Sequence, residues 1–178
     1  MARGDALAAA ATAGLLMRAI TLAPARDAHS GFVWRLRNAP AVRAASINTD
    51  RITKAEHDVW WELRTLENNL VLADLWIILD NGAHCGYVRL DNQRDANWTA
   101  SVSIAISADH RGRGIATDVL RRLLPSRART IGYLGLRATV RRDNPGSLIA
   151  FLKAGYRLQV SVDDTWVTLE QDMARRRP

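Results

Sequence analysis

The run Ser107-Ala108-Asp109-His110-Arg111-Gly112-Arg113-Gly114-Ile115-Ala116 sets two glycines and two arginines between two patterned stretches. Before it, residues 98–107 alternate apolar and polar side chains as a strand does. After it, residues 115–124 have helical spacing. A strand that feeds a glycine-rich turn and then a helix is suited to anions. The helix start leaves N–H groups unpaired, and the helix dipole favours negative charge there. Gly112 and Gly114 permit conformations that aim successive N–H groups at one point, and Arg111 and Arg113 add charge for phosphate oxygens. The alternative is a tight turn with solvated arginines, and the glycine spacing alone does not choose. The run is neither a P-loop, lacking Gly-Lys-Ser/Thr, nor a dinucleotide-binding fingerprint.

Other reactive groups are few. The four histidines (29, 57, 84 and 110) and the single cysteine, Cys85, show no metal-ligand spacing, so no metal is expected. Cys85 sits in a strand-like stretch away from the turn, and small buried cysteines are common in such places.

The scaffold follows from periodicity and punctuation. Strands are predicted over residues 19–25, 75–80, 84–91, 98–107, 133–140, 157–162 and 165–173. Asn81-Gly82 is a hairpin turn. Residues 28–47 read as a helix broken near Pro40. Residues 53–69 read as a helix opened by a Thr53–Glu56 capping box, with Val59, Leu63 and Leu66 at helical spacing. The helix after the glycine-arginine turn is expected to stop near Pro125. A further helix has Asn144 as cap, Pro145 at its first position and Gly155 at its end. This order predicts an α/β (α+β) domain with a mixed sheet and helices on both faces.

Composition sets the outer limits. The chain has 178 residues, 48% hydrophobic and 24% charged, which suits a soluble domain with a real core. No apolar run approaches the roughly 20 residues a membrane helix needs. A lone cysteine fits a reducing, cytoplasmic location. The net charge is +7, but the arginine clusters lack interleaved aromatics and any helix-turn-helix or zinc-finger pattern, so nucleic acid is not an expected partner. Residues 1–17 read as a disordered extension, 18–173 as the domain and 174–178 as a frayed basic tail.

With the motifs placed, Arg111-Gly112-Arg113-Gly114-Ile115-Ala116 resembles the R/Q-x-x-G-x-G/A signature of the GNAT acyltransferases. Asn144, Ser147, Phe151, Gly155 and Tyr156 are similar to a second motif of that superfamily, N-x-x-S/A-x-x-x-Y/F-x-x-x-G-F. The resemblance spans residues 18–173 and implies the GNAT fold: a mostly antiparallel, twisted mixed sheet with a central splay. It also implies acetyl-CoA as cofactor, with CoA as product. Residues 111–116 would cradle the pyrophosphate, and Ile104, Ala105 and Ile106 would pair with the pantetheine arm where their strand leaves the next one. Asn144, Ser147 and Phe151 would line the same arm, although a plain helix cap explains Asn144 equally well.

The first half carries a finer likeness. Residues 34–48, 52–62 and 86–91 resemble a branch that includes N-acetyltransferases of amino-sugar nucleotides, as in pseudaminic acid synthesis. Parts of that pattern are shared with ribosomal-protein N-terminal acetyltransferases. An amino-sugar nucleotide acceptor would give Arg37 and Arg43 a diphosphate to hold, and Trp60 or Trp61 a ring to stack on. His57 would accept the ammonium proton, with Asp91 and Glu56 as lesser base candidates. Each has an ordinary alternative: arginines pair with carboxylates, one of two adjacent tryptophans points inward, and a histidine on an amphipathic helix is often superficial. Two departures from the superfamily pattern stand out. Ser101, with Ser103 two residues on, stands where many members have a glutamate base, and Phe151 where many have a tyrosine acid. The expected reaction is direct transfer to a primary amine, through His57 or water held by Ser101 and Ser103. The competing readings are a protein N-terminal acetyltransferase and a non-catalytic acyl-CoA-binding module. A homodimer is compatible with the superfamily.

Overall fold

The computed structural model describes residues 18–69, 74–92, 98–159 and 163–173. The expected extension, most of the polar loop after residue 91, part of the closing hairpin and the basic tail lie outside the described residues. The sheet is built from β1 (Ile20–Pro24), β2 (Leu75–Asp80), β3 (Ala83–Asn92), β4 (Thr99–Ile106), β5 (Gly135–Arg141), β6 (Arg157–Leu158) and β7 (Trp166–Asp172), in the order β1-β2-β3-β4-β5-β7-β6. All neighbours pair antiparallel except β4 and β5, which run parallel. Asn81 and Gly82 close the β2–β3 hairpin at φ 50° and 85°, the left-handed pair that a two-residue turn requires.

Helices cover both faces because β2 and β3 are apolar on both sides. Leu75, Ile77 and Tyr87 pack with α1 (Ser30–Arg37) and, through Trp61, with α3 (Lys54–Asn69); α2 (Pro40–Ala44) lies between them in the chain. Trp76, Ile78, Val88 and Leu90 point the other way. They share a core with α4 (Ile115–Asp118), α5 (Leu124–Ile131) and α6 (Pro145–Lys153). Among the described residues no helix is long and apolar enough to cross a membrane.

Two local expectations are corrected. Pro125 does not stop its helix. Residues Val119–Leu123 form a π turn, in which the Leu124 N–H bonds the Val119 carbonyl, and Pro125 opens α5 rather than ending α4. A proline there gives up an N–H the new helical run does not use. On α3 the expected Thr53–Glu56 capping box forms, but Val59 and Leu63 are exposed. The face turned inward carries His57 and Trp61, because the large indole ring dominates the area to be buried. The side chain of Leu66 lies outside the described residues.

Gly86 holds β3 and β4 together at close range. A Cβ there would stand 2.4 Å from the Ala105 carbonyl oxygen and 2.9 Å from Ile106 Cδ1. The substitution Gly86→Ala is therefore expected to lower the unfolding free energy by about 1–3 kcal/mol, the usual cost of overpacking, as read by denaturant melts.

Candidate active site

Pairing between β4 and β5 covers only Thr99–Gly135, Ala100–Leu136 and Ser101–Arg137. Beyond that point both strands continue, to Ile106 and Arg141, without facing each other in a ladder. The sheet thus splits, as expected, and a cleft of about 1340 Å³ opens in the split. It runs from the turn at 110–117, past β4 and the start of α6, to the side chains of α1 and α3.

The split leaves β4 backbone groups available, but not at every residue. The Ser107 N–H donates to the Cys85 carbonyl, and ladder alternation then directs Ala105 and Ser103 toward β3 and Ile104 and Val102 toward the opening. Of the three residues expected to pair with a pantetheine arm, Ala105 therefore spends its backbone on β3. Ile106 offers a carbonyl already bound by Arg111 Nε at 3.0 Å. Ile104 presents both its N–H and its carbonyl to the gap.

The turn has the form its glycines predict. Gly112 and Gly114 have φ 72° and 75°, and a Cβ on either would meet nothing within 4 Å. Gly114 is the N-cap of α4, and no side chain caps the N–H groups that follow. A backbone curl with open space before it and uncapped N–H groups behind it fits an extended anion. Arg111, Gly112, Gly114, Ile115 and Ala116 line the cleft; the Arg113 side chain does not. On the opposite wall Asn144 caps α6, its Oδ1 accepting from the Ser147 N–H at 3.1 Å, and both residues face the cleft. Phe151 lines it too, held edge-on against Tyr156 at 4.9 Å between ring centres.

At the far end stand Arg37, His57, Trp60, Tyr87, Arg89 and Ser103. His57 is 3% exposed, with Nε2 3.1 Å from the Ser30 hydroxyl and its ring 5.6 Å from that of Trp60. Burial is the main cause that lowers its pKa below the ordinary 6.5, against an opposing hydrogen bond with Ser30, so the imidazole is neutral at pH 7. Arg37 Nη2 donates to the Asn48 carbonyl at 2.7 Å, while Nη1 is buried without a partner among the described residues. Arg89 lies 5.6 Å over the Trp60 ring and reaches Ser103 Oγ at 3.4 Å.

Other expected site residues fall elsewhere. Trp61 is 5% exposed and belongs to the core, its Nε1 donating to Asp27. Arg43 donates to the Thr49 carbonyl at 2.9 Å and does not line the cleft. Asp91 is held by Arg64 and Arg89 in an ion-pair network outside it. Ser101 sits where β4 is still paired with β5, short of the opening. Glu56 faces the cleft, but its carboxylate accepts from Thr53. Sequence reasoning missed Tyr87 and Arg89. Their signal was the alternation in Gly86–Asp91, which puts residues 87, 89 and 91 on one face, opposite Ala105, Ser103 and Ser101.

The neutral buried histidine also affects stability. As pH falls through about 6.5, the unfolded chain takes up the proton before the folded one does, so stability is full above that pH and declines below it. His29, its pKa lowered chiefly by burial, acts in the same direction. Melting curves are expected to show a Tm that falls on acidification below pH 6.5, with a smaller fall in His57→Gln.

The family model for the acetyltransferase (GNAT) domain matches residues 18–157, the stretch that builds the split sheet and the turn. The chain belongs to the GNAT acetyltransferase family. It is accordingly an acetyl-CoA-dependent N-acetyltransferase. The L-amino acid N-acyltransferase MnaT of Escherichia coli strain K12 is 27% identical over 136 residues, 74% of this chain and 76% of that protein. Among solved structures, yncA of Salmonella typhimurium, determined with its cofactor acetyl-CoA, superposes with a TM-score of 0.71. The identity is 20%, over 89% of this chain and 96% of that one. Spermidine N-acetyltransferase of Vibrio cholerae, in complex with CoA and spermine, gives a TM-score of 0.74 at 14% identity, covering 86% and 95%. At these identities the structural likenesses speak to the GNAT fold, not to the acceptor.

Proposed function

We propose that this GNAT enzyme acetylates the primary amine of a small acceptor carrying an anionic group of carboxylate size. The observation that carries the reading is the Arg37 guanidinium on the cleft wall, one of whose nitrogens, Nη1, is buried without a partner among the described residues. An unpaired buried charged donor costs roughly 1–3 kcal/mol or more, and a ligand carboxylate would relieve it once the side chain turns to expose Nη1. Arg89 stands at the same end but is paired with Asp91, so Arg37 carries the charge that disfavours polycationic acceptors. The likeness to an L-amino acid N-acyltransferase points the same way. A nucleotide-linked amino sugar is the second reading. Trp60 on the cleft wall favours it, whereas Arg43, expected to share a diphosphate with Arg37, is turned to Thr49.

Acetyl-CoA, when bound, supplies an acetyl group activated as a thioester. The N–H groups from Gly112 to Ala116 and the Arg111 side chain are the residues that would hold its pyrophosphate. The backbone of Ile104 and the walls at Asn144, Ser147 and Phe151 would hold its arm. The Ile104 N–H is placed to polarise a carbonyl in the gap. His57, neutral and hydrogen-bonded to Ser30, accepts the acceptor's ammonium proton directly or through one water. Ser103 orients that amine or water. Tyr87 is the only one of the three tyrosines on the cleft wall, and burial raises its pKa, so it stays protonated and is the tyrosine available to protonate the leaving thiolate. Phe151 cannot take that part.

The test is thiol release from acetyl-CoA with α-amino acids, amino-sugar nucleotides, spermidine and N-terminal peptides as acceptors. Turnover confined to α-amino acids supports the reading, and turnover confined to amino-sugar nucleotides, spermidine or peptides, the last with amidated C-termini, overturns it.

A further inference from the structure

We propose that Arg18 is a positioning residue for the phosphate end of acetyl-CoA, acting through the peptide plane between Arg113 and Gly114. The inference rests on the reading that the turn at 111–116 receives the pyrophosphate.

Arg18 precedes β1 and is 95 residues from the turn it touches. Its Nε donates to Asp80 Oδ1 at 2.8 Å, its Nη2 to Asp80 Oδ2, and its Nη1 to the Arg113 carbonyl oxygen at 2.9 Å. Asp80 ends β2 and its side chain is only 9% exposed, so the anchor belongs to the sheet. A guanidinium is a rigid planar fork; two bonds to one carboxylate fix the direction of the third. The Arg113 carbonyl is thereby drawn toward the β1–β2 end of the sheet.

The next peptide group follows from planarity. No peptide bond among the described residues is cis, so the Gly114 N–H points opposite to the Arg113 carbonyl in the same plane. Gly114 lines the cleft. Fixing the carbonyl outward therefore fixes this N–H inward. The clamp matters here because the turn is glycine-rich. With open space around Gly112 and Gly114, little else opposes rotation of the 113–114 peptide, which would aim the carbonyl oxygen at phosphate oxygens. A charged donor on the carbonyl also polarises the peptide and strengthens its N–H. Arg18 does this with its own charge neutralised by Asp80, so it acts as a clamp rather than as a free cation.

The experiment compares wild type, Arg18→Met and Asp80→Asn by calorimetric titration with CoA, and by turnover with acetyl-CoA and with S-acetylpantetheine, a donor without phosphates. In Arg18→Met, CoA affinity is expected to fall about tenfold, the loss of one charge-assisted hydrogen bond. The KM for acetyl-CoA rises to match, with kcat nearly unchanged, and turnover of S-acetylpantetheine falls far less. Asp80→Asn frees the Arg18 charge yet loosens the clamp, so it too weakens CoA binding; nearly isosteric with the native side chain, it carries the test should Arg18→Met not fold. Unchanged CoA affinity in Arg18→Met, tighter binding in Asp80→Asn, or equal losses with both donors would overturn the proposal. A wild type that handles both donors equally well overturns the pyrophosphate reading beneath it, which separates the two failures.

Discussion

Replacing His57 by Gln lowers kcat about a hundredfold, the low end of what a positioned general base supplies, while CoA affinity measured by calorimetry stays near that of wild type. Glutamine preserves approximate size and a hydrogen bond to Ser30, so the change removes the basic nitrogen and little else. The pH profile gives the sharper reading. For a base at His57 the neutral imidazole is the active form, and burial depresses its pKa below 6.5. The plateau of kcat/KM in the wild type therefore extends below pH 6.5, with the acid limb beyond it, and His57→Gln loses that limb. A wild-type limb above pH 6.5, or one that survives in His57→Gln, assigns the proton transfer to another group.

The substitution Arg37→Met raises the acceptor KM by roughly ten- to a hundredfold with kcat little changed, since a hydrogen bond between charged groups contributes about 1.5–3 kcal/mol. On the proposed function Nη1 is the nitrogen that meets the acceptor. Nη2 already serves the Asn48 carbonyl and ties α1 to the loop after α2. Arg37→Lys offers one ammonium to both partners, and is expected to recover part of the KM and none of the bidentate geometry. If Arg37→Met lowers kcat and leaves KM alone, the side chain does not hold the acceptor in the ground state.

What the sequence disclosed and what it withheld divide along a physical line. The hairpin turn at Asn81-Gly82, the Thr53–Glu56 box, the Asn144 cap and the glycine turn are local devices whose partners lie within a few residues. They were legible because their chemistry is complete in a short window. The split of β4 from β5 was expected only through family resemblance, since strand pairing is settled far along the chain. Pro125 misled because a π turn, which has no sequence signature of its own, relieves the proline. Val59 and Leu63 misled because helical spacing marks a stripe without saying which stripe is buried, and Trp61 decided it.

The site shows the same division. His57, Trp60 and Arg37 were singled out by residue type and do reach one end of the cleft. Arg43, Asp91 and Trp61 had the same types, but found a carbonyl, two arginines and the core as partners instead. Nothing in a linear pattern reports whether a charged group has already been satisfied. Tyr87 and Arg89 escaped notice because only the pairing of β3 with β4 sets them beside Ala105 and Ser103.

The proposed pairing, in one cleft, of an acetyl-CoA turn with a pocket for an anionic primary amine is tested most directly by acetyl transfer to a matched pair of acceptors, an α-amino acid and the same compound with its carboxylate amidated, in wild type and in Arg37→Met. Wild type is expected to prefer the free acid by at least about tenfold in kcat/KM, and Arg37→Met to abolish the preference. Equal use of both acceptors by wild type, or a preference that survives in Arg37→Met, would contradict it.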